Sequence, residues 1–154
     1  RLDKLAAIDG KRTADNIHRE LGLLMWNKCG MARNEQDLKE ALENIPGIRE
    51  AFWNDLKIAP RETGRLNNEL DKAWRVADFI DFAELMVRDA LERRESCGGH
   101  FREEYQTEDN EALRDDQNQS HVSVWEHQGD DKPPLMHKEP LSFEYCKPSQ
   151  RSYK

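Results

Sequence analysis

The sequence has 154 residues and a formal net charge of -7, and hydrophobic and charged residues each make up 36% of it. This length suffices for one core, but a mean hydropathy of -1.00 is low for an independent domain, so much of the surface is predicted to be solvated or covered by another protein. The acidic balance and the absence of a Lys and Arg cluster argue against nucleic acid or an anionic membrane surface as a partner.

The start of the chain and its cysteines bear on its origin and on its cellular compartment. The chain begins with Arg1 rather than Met, which fits processing as well as an excised piece, the favoured interpretation, and its amino end lacks the apolar core of a signal peptide. No apolar run approaches the roughly 18 residues that suggest a membrane span. The three cysteines, Cys29, Cys97 and Cys146, are odd in number and far apart, which favours free thiols in a reducing compartment.

The first predicted helix covers residues 13–28, with Thr13 as its N-cap and Gly30 as its stop. Apolar residues recur there at the spacing of one helical face: Ile17, Leu21, Leu24 and Met25.

The second predicted helix begins after Asn34, which can cap it, and carries Asp37 in its first turn. Its apolar face comprises Leu38, Ala41, Leu42, Ile45, Ile48, Phe52 and Leu56. Pro46 and Gly47 interrupt this pattern, so a kink or break is expected near Asn44.

A polar turn at residues 60–64 precedes the third predicted helix, which ends before Gly98 and approaches about 40 Å in length. One apolar row consists of Leu66, Leu70, Ala73, Ala77, Ile80, Val87 and Leu91. A second row consists of Val76, Ala83, Met86 and Ala90, with Trp74, Phe79 and Phe82 nearby. Such a wide apolar surface predicts neighbours on more than one side of this helix.

Residues 103–154, which follow the predicted helices, show no helical pattern. Residues 103–119 are acidic and aperiodic and read as an extended connector. Residues 121–125 alternate as a strand would, residues 129–134 supply turn residues, and residues 135–145 offer a second strand, so a short hairpin is plausible. Residues 147–154 have no apolar face and are expected to be loose unless docked.

These elements predict a mainly α fold: a three-helix bundle with a long third helix, followed by an extended C-terminal tail that contains a possible short β-hairpin. The predicted division places the bundle in residues 1–102 and the connector and tail in residues 103–154.

The sequence offers no catalytic, cofactor-binding or metal-binding residue by pattern. Cys97 and His100 are metal-capable but lack the paired cysteine knuckles of a structural zinc site. No dinucleotide or P-loop glycine motif occurs, and no serine lies in a nucleophile elbow.

His100 and Arg102 permit two interpretations. They could contact an anion such as a dicarboxylate, because a guanidinium matches carboxylate geometry. The favoured alternative is a structural network in which Arg94 or Arg102 pairs with nearby carboxylates, namely Glu95, Glu103 and Glu104.

Several blocks of sequence carry a family resemblance. Residues 94–105, R-E-S-C-G-G-H-F-R-E-E-Y, resemble the R-E-S-R-G-x-H-x-R-x-D-Y segment of the flavoprotein subunits of succinate dehydrogenase and fumarate reductase. Residues 18–33 resemble the family's R-x-E-L-x-x-x-M-x-x-x-x-G-x-x-R helix, and the helix from Glu69 to Arg94 is similar to the long helix before that segment. Residues 138–154 resemble the tail in which these subunits end.

The resemblance implies a three-helix C-terminal domain that packs on the flavin domain of the same polypeptide, with a tail that runs back across it. The full subunit would interconvert succinate and fumarate with FAD and pass electrons to an iron–sulfur subunit. It would be cytoplasmic and peripheral to the inner face of the membrane through partner subunits. The family's flavin-binding and substrate-binding residues lie upstream and have no counterpart here.

What the resemblance carries over is an interface and structural motif that helps seat the helical domain: Arg94, Glu95, Ser96, Gly98, Gly99, His100 and Arg102. Cys97 departs from the Arg that the family often has, which puts a shared salt bridge there in doubt. L-aspartate oxidase and adenylylsulfate reductase share the wider architecture and stay open as parents. A stand-alone helical interaction module is the rival from another class, and the isolated chain is expected to self-associate through its uncovered docking face.

Overall fold

A computed structural model describes residues 1–59, 67–129 and 132–150 of the chain. Along these residues the elements are α1 (Leu2–Ala6), α2 (Ala14–Lys28), β1 (Ala32–Arg33), α3 (Glu35–Asp55), α4 (Asn68–Glu92), β2 (Phe101–Arg102), β3 (His121–Glu126) and β4 (Leu135–Pro140). The predicted fold class, a mainly α chain with a short C-terminal hairpin, is confirmed.

The bundle is formed by α2, α3 and α4, which all contact one another. The largest fully buried apolar side chains of the described residues are Phe52, Leu5, Ile17, Leu38, Ile45, Leu56, Ile80 and Val87. Asp15 pairs with Lys72 at 3.0 Å, and the ring centroids of His18 and Phe79 lie 5.3 Å apart, so α2 and α4 run side by side in the same direction. Lys28 at the end of α2 pairs with Asp37 in the first turn of α3, so α3 runs antiparallel to α2 and completes the core.

Side-chain caps begin each of the three long helices. The Thr13 hydroxyl accepts from the backbone N–H of Asn16 at 3.2 Å, and the Asn34 side chain accepts from the backbone N–H of Asp37 at 2.8 Å. These two caps match the predicted ones and satisfy amides that have no partner within the helix. Asn67 caps α4; the polar turn and Leu66, predicted to precede and open it, lie outside the described residues.

Of the kink or break predicted near Asn44, the break is wrong, because α3 continues as one helix through Pro46, and the kink stays a prediction. Pro46 and Gly47 lie on the exposed side, whereas Ala41, Ile45 and Ile48 are buried on both sides of the interruption. A proline inside a helix costs about 3 kcal/mol, and each fully buried aliphatic side chain contributes about 1.5–3 kcal/mol. Burial of the face therefore outweighs the lost hydrogen bond.

The segment before α2 is joined to the end of α3, a contact that the sequence did not predict. The backbone N–H groups of Lys11 and Arg12 donate to the carbonyl of Asp55 at 3.0 and 2.8 Å. A Cβ on Gly10 would lie 2.0 Å from the carbonyl carbon of Asp55, so only glycine permits this close approach. Leu5 of α1 is fully buried and extends the core at this end.

The predicted extended connector after Glu103 instead folds back on the bundle over its first half. The N–H of Leu113 donates to the carbonyl of Tyr105 at 3.1 Å, and the N–H of Ser96 donates to that of Leu113 at 2.8 Å. Asn110 turns the chain with a φ of 62°, a conformation that asparagine tolerates better than most residues. The sequence lacks periodicity here because turns, not a helix or strand, shape the segment.

The hairpin is confirmed, although its second strand ends at Pro140 rather than at residue 145. Strands β3 and β4 are antiparallel, with Val124 opposite His137 and Trp125 opposite Met136. The indole N–H of Trp125 donates to Asp89 of α4 at 2.9 Å, which ties the hairpin to the bundle. Residues 130 and 131 of the predicted turn lie outside the described residues.

Residues 141–150 are exposed along their whole length. Arg114 donates to the carbonyl of Ser149 at 3.2 Å, and Gln150 donates to the carbonyl of Ala112. In the described part of the chain, no helix has both the length and the apolar content that crossing a membrane requires.

Candidate functional site

The motif at residues 94–102 lies between the end of α4 and the start of α3. Strands β1 and β2 pair in parallel there, with Ala32 opposite Phe101 and Arg33 opposite Arg102. The N–H of Glu103 donates to the carbonyl of Arg33 at 2.8 Å and extends the pairing by one bond. The motif therefore joins two segments that are more than sixty residues apart in sequence.

Arg102 is the most buried charged residue of the motif, with 1% of its surface exposed. Its Nη1 donates to the carbonyls of Ala90 and Leu91 at 3.0 and 3.3 Å, and its Nε donates to Glu104 at 3.0 Å. The last carbonyls of a helix lack partners within the helix and carry its negative dipole end. The guanidinium thus caps α4 from the side and satisfies groups that would otherwise be buried without a bond.

Glu104 links Arg102 to the next helix. Its carboxylate pairs with the Arg102 guanidinium and also accepts from the backbone N–H of Glu35, the first residue of α3. Burial alone would raise the pKa of Glu104, but the Glu35 hydrogen bond and the Arg102 pair outweigh it and lower that pKa. One carboxylate therefore connects the cap of α4 with the positive end of α3.

Ser96 and Gly98 shape the loop itself. The Ser96 hydroxyl accepts from the backbone N–H of Arg102 at 2.8 Å and lies 3.1 Å from its carbonyl, to which it donates. Cys97 and His100 exchange two backbone bonds of 2.8 and 3.0 Å around the glycines. Gly98 has a φ of 59°, in the left-handed region that favours glycine.

Glu95 is also buried, with 3% of its surface exposed, and both of its oxygens are bonded. One oxygen accepts from Arg93 at 2.7 Å, and the other accepts from the backbone N–H of Asp115 at 3.0 Å. Arg93 also donates to the carbonyl of His121 at 2.9 Å, so it fixes the start of β3. Arg94, the arginine singled out from the sequence, is exposed.

His100 uses both ring nitrogens. An arginine can only donate, so the 2.8 Å contact between Arg33 Nη1 and His100 Nδ1 makes Nδ1 an acceptor. Nε2 then carries the proton and donates to the carbonyl of Arg93 at 3.0 Å. Burial and, secondarily, the nearby guanidinium groups of Arg33, Arg102 and Arg93 lower the pKa of His100, which outweighs the bond to the Arg93 carbonyl. The ring is therefore neutral at pH 7.

These contacts favour the structural network over the anion contact. Arg102 is buried against helix carbonyls and Glu104, and the acceptor nitrogen of His100 already accepts a hydrogen bond from Arg33. No open pair of cationic donors is left at these two residues for a dicarboxylate. The network includes Arg33 and Arg93, which the sequence did not assign a role.

Among the described residues, no group of three or more His, Cys, Asp and Glu side chains could hold a metal ion. A shallow pocket lies beside the motif and is lined by Arg33, Met86, Asp89, Ala90, Arg93, Cys97 and His100. Three of these groups already bond within the network, and the sequence has no glycine-rich phosphate loop.

Known proteins resemble nearly the whole chain. The family model described as "Fumarate reductase flavoprotein C-term" matches residues 18–153. An uncharacterized FAD-dependent oxidoreductase of Methanocaldococcus jannaschii is 30% identical over 68% of this chain and 18% of its own length. A subunit of the fumarate reductase (CoM/CoB) of Methanothermobacter marburgensis is 32% identical over 63% of this chain and 17% of its own length.

A solved quinol-fumarate reductase with menaquinol molecules has the same fold over 97% of this chain and 25% of that chain, with a TM-score of 0.80 and 23% identity. The chain thus spans about a fifth of the length of the curated relatives it matches. Because the family model covers most of the sequence, the chain belongs to the family of fumarate reductase flavoprotein C-terminal domains.

Proposed function

We propose that this chain is the C-terminal part of a flavoprotein subunit that interconverts succinate and fumarate with FAD. The match of the family model over residues 18–153 carries the proposal. The curated relatives include fumarate reductase and succinate dehydrogenase flavoprotein subunits, which supports it. The chain itself would be a structural and docking element without catalytic residues.

The contacts of the motif support this structural role. Glu95, Ser96, His100 and Arg102 lock the end of α4 to the start of α3 and to the loop before β3, and they do so within this chain. A rigid junction of this kind is what a domain needs when it must present a fixed surface to its neighbours. We propose that Arg94, Gly99 and the rest of the motif also contact a neighbouring domain of the parent.

The partners in this proposal are the flavin domain of the same polypeptide and an iron–sulfur subunit. Among solved structures with this fold are a quinol fumarate reductase and a succinate dehydrogenase complex. We propose the same kind of assembly for the parent of this chain, cytoplasmic and peripheral to the inner face of the membrane. The isolated chain would bind no FAD and would self-associate through surfaces that the parent covers.

Two alternatives remain in the proposal. L-aspartate oxidases are also among the curated relatives, so the parent could be a flavoenzyme of that type. A stand-alone helical interaction module is the alternative from another class.

Enzyme assays on the native polypeptide separate these candidates. The polypeptide, captured from source cells with an antibody against this chain, is assayed for fumarate reduction, succinate oxidation and L-aspartate oxidation, and its flavin is measured after denaturation. Flavin with succinate or fumarate turnover supports the proposal, whereas flavin with L-aspartate turnover supports the second candidate. A native polypeptide without flavin contradicts both.

A further inference from the structure

The contact between Arg33 and His100 depends on the protonation state of the imidazole ring. Arg33 Nη1 lies 2.8 Å from His100 Nδ1, and His100 Nε2 lies 3.0 Å from the carbonyl of Arg93. A guanidinium only donates and a carbonyl only accepts, so Nδ1 is unprotonated and Nε2 carries the proton. A proton on Nδ1 would place two donors and two positive charges against each other. The contact therefore requires the neutral ring.

The surroundings of the ring favour its neutral form. The charged and titratable groups that face the ring or line its pocket are Arg33 of β1, Asp89 and Arg93 at the end of α4, Cys97 of the loop and Arg102 of β2. The carboxylate of Asp89 accepts from the indole N–H of Trp125 at 2.9 Å. Burial first, and then the guanidinium groups, lower the pKa of His100 against the opposing bond to the Arg93 carbonyl. The contact is thus complete above pH 6.5 and is lost as the pH falls through the lowered pKa.

Loss of the contact affects the β1 side of the junction. Arg33 Nε donates to the carbonyl of Gly30 at 2.9 Å, and the Arg33 carbonyl accepts from the N–H of Glu103 at 2.8 Å. Arg33 therefore joins the turn before β1 to the ring of His100 and to the end of β2. The pairing of β1 with β2 is a parallel ladder of two residues, and so short a ladder is marginal by itself.

The α4 side of the junction does not depend on the proton at Nδ1. The guanidinium of Arg102 donates to two carbonyls in the last turn of α4, and it does so without the ring. When both ring nitrogens carry protons, His100 Nε2 still donates to the carbonyl of Arg93. The cap of α4 therefore persists in acid.

The start of α3 also has bonds of its own to the segment after β2. The Asn34 side chain donates to Glu103 at 3.0 Å, and the backbone N–H of Glu35 donates to Glu104. The part of the chain that the ring proton controls is therefore the short stretch of residues 30–33, between the end of α2 and the start of α3.

We propose that His100 is a pH-sensitive switch: proton uptake at Nδ1 releases the Arg33 side chain and frees residues 30–33 from the motif, while the cap of α4 stays intact. The connection between α2 and α3 is thus fixed to the motif at neutral pH and mobile in acid. This behaviour belongs to the chain itself and does not depend on the proposed function.

An NMR titration of this chain from pH 7.5 to 4.5 tests the switch. The ring ¹⁵N chemical shifts report which nitrogen of His100 carries a proton, and ¹⁵N relaxation reports the order parameters of the backbone amides. We expect an unprotonated Nδ1 at pH 7.5 and a midpoint below pH 6.5. Through that midpoint the order parameters of Ala32 and Arg33 should fall from about 0.85 to below about 0.6. The amide of Asp115, which donates to Glu95 on the other side of the motif, is the internal control and should stay rigid.

Two pairs of variants assign the effect to the ring and to the contact. His100→Gln removes the titrating group and should abolish the pH step at residues 30–33, whereas His137→Gln on the exposed hairpin should leave it. Arg33→Met removes the donor and its charge, so the ring of His100 should bind its proton about three- to tenfold more tightly. Arg94→Met changes an exposed arginine of the same loop and should leave the midpoint unchanged.

Several results would overturn the inference. One is a protonated Nδ1 at pH 7.5, and another is an unchanged order parameter at residues 30–33 after the ring has titrated. An equal loss of order at Asp115 and in the helices would show general unfolding instead of a local release. A His100 midpoint that Arg33→Met does not raise would contradict the contact itself, and this shift is readable from the onset of the titration even where the chain unfolds at low pH.

Discussion

At the scale of single residues, Arg102 connects more parts of the molecule than any other side chain of the motif. Its guanidinium reaches the last turn of α4, and through Glu104 it reaches the first amide of α3. Its Cζ lies 5.5 Å from the ring centroid of Tyr105. A lysine has neither the fork nor the planar face that these contacts need.

Replacing Arg102 by alanine should lower the free energy of unfolding by about 3–5 kcal/mol, because it leaves buried carbonyls and a carboxylate without their partner. The matched control, Arg94→Ala, changes an exposed arginine of the same loop and should stay within about 0.5 kcal/mol. Urea denaturation of both variants measures the difference. Similar losses for the two would show that the loop does not depend on the Arg102 contacts.

His100 makes the stability depend on pH. Burial, and then the neighbouring guanidinium groups, hold its pKa below the ordinary value of 6.5. Above pH 6.5 the ring is neutral in both the folded and unfolded states, so its contribution to stability is fully present. As the pH falls below 6.5 and through the folded pKa, the unfolded state takes up the proton first, and stability is lost.

Urea denaturation at pH 7.5 and 5.5 should therefore show a loss of stability at the lower pH that shrinks in His100→Gln. His137→Gln is the control, since His137 is exposed and pairs with Glu126 on the hairpin. If the two variants keep the same pH dependence as the unmodified chain, His100 is not the titrating group.

Sequence reasoning located this network and some of its members. It favoured a structural network in which Arg94 or Arg102 pairs with Glu95, Glu103 or Glu104, and in the structure Arg102 pairs with Glu104. It selected Arg94, whereas the structure uses Arg93 to bind Glu95, because the register of the chain leaving α4 is set by tertiary contacts. Arg33 could have been found, since it closes the block of residues 18–33 that resembles the family helix.

At the scale of elements, the three long helices were predictable because each has a capping residue and an apolar face of the right period. The short elements α1, β1 and β2 were not. Each of them spans at most five residues, so its backbone conformation depends on what it packs against. The burial of Leu5 and the β-strand pairing of Arg33 with Arg102 depend on contacts between segments that are distant in sequence.

The uninterrupted α3 shows burial prevailing over local propensity. Pro46→Ala should raise the free energy of unfolding by about 2 kcal/mol, since it restores one backbone donor and removes a clash with the preceding turn. Gly47→Ala serves as a comparison and should gain about 0.5–1 kcal/mol, because a Cβ there meets no atom within 4 Å. A loss of stability in Pro46→Ala would mean that the helix is adapted to its proline.

At the scale of the whole molecule, the hairpin is bonded to the bundle, whereas residues 141–150 are exposed. The hairpin is held to α4 by Trp125 and to the motif by Arg93. Val122, Val124 and Leu135 nonetheless remain exposed on its outer face, and Phe143 and Tyr145 are exposed beyond it. The division at residue 102 stays a prediction, although residues 103–113 bond closely to the bundle.

Limited proteolysis of the isolated chain should cut residues 141–150 well before the helices, because this segment is exposed and outside any described strand or helix. The fragments are identified by mass spectrometry over time. In the parent polypeptide the same segment should resist cleavage if it lies on another domain. Equal resistance of the tail and the helices in the isolated chain would contradict a tail adapted to an absent surface.

The most direct test of the central claim is the intact mass and visible absorption spectrum of the native polypeptide, captured from source cells through this chain. We expect a yellow protein several times heavier than 18.1 kDa, since the chain covers about a fifth of the relatives it matches. A colourless polypeptide of about 18.1 kDa would contradict that claim and leave a stand-alone helical protein.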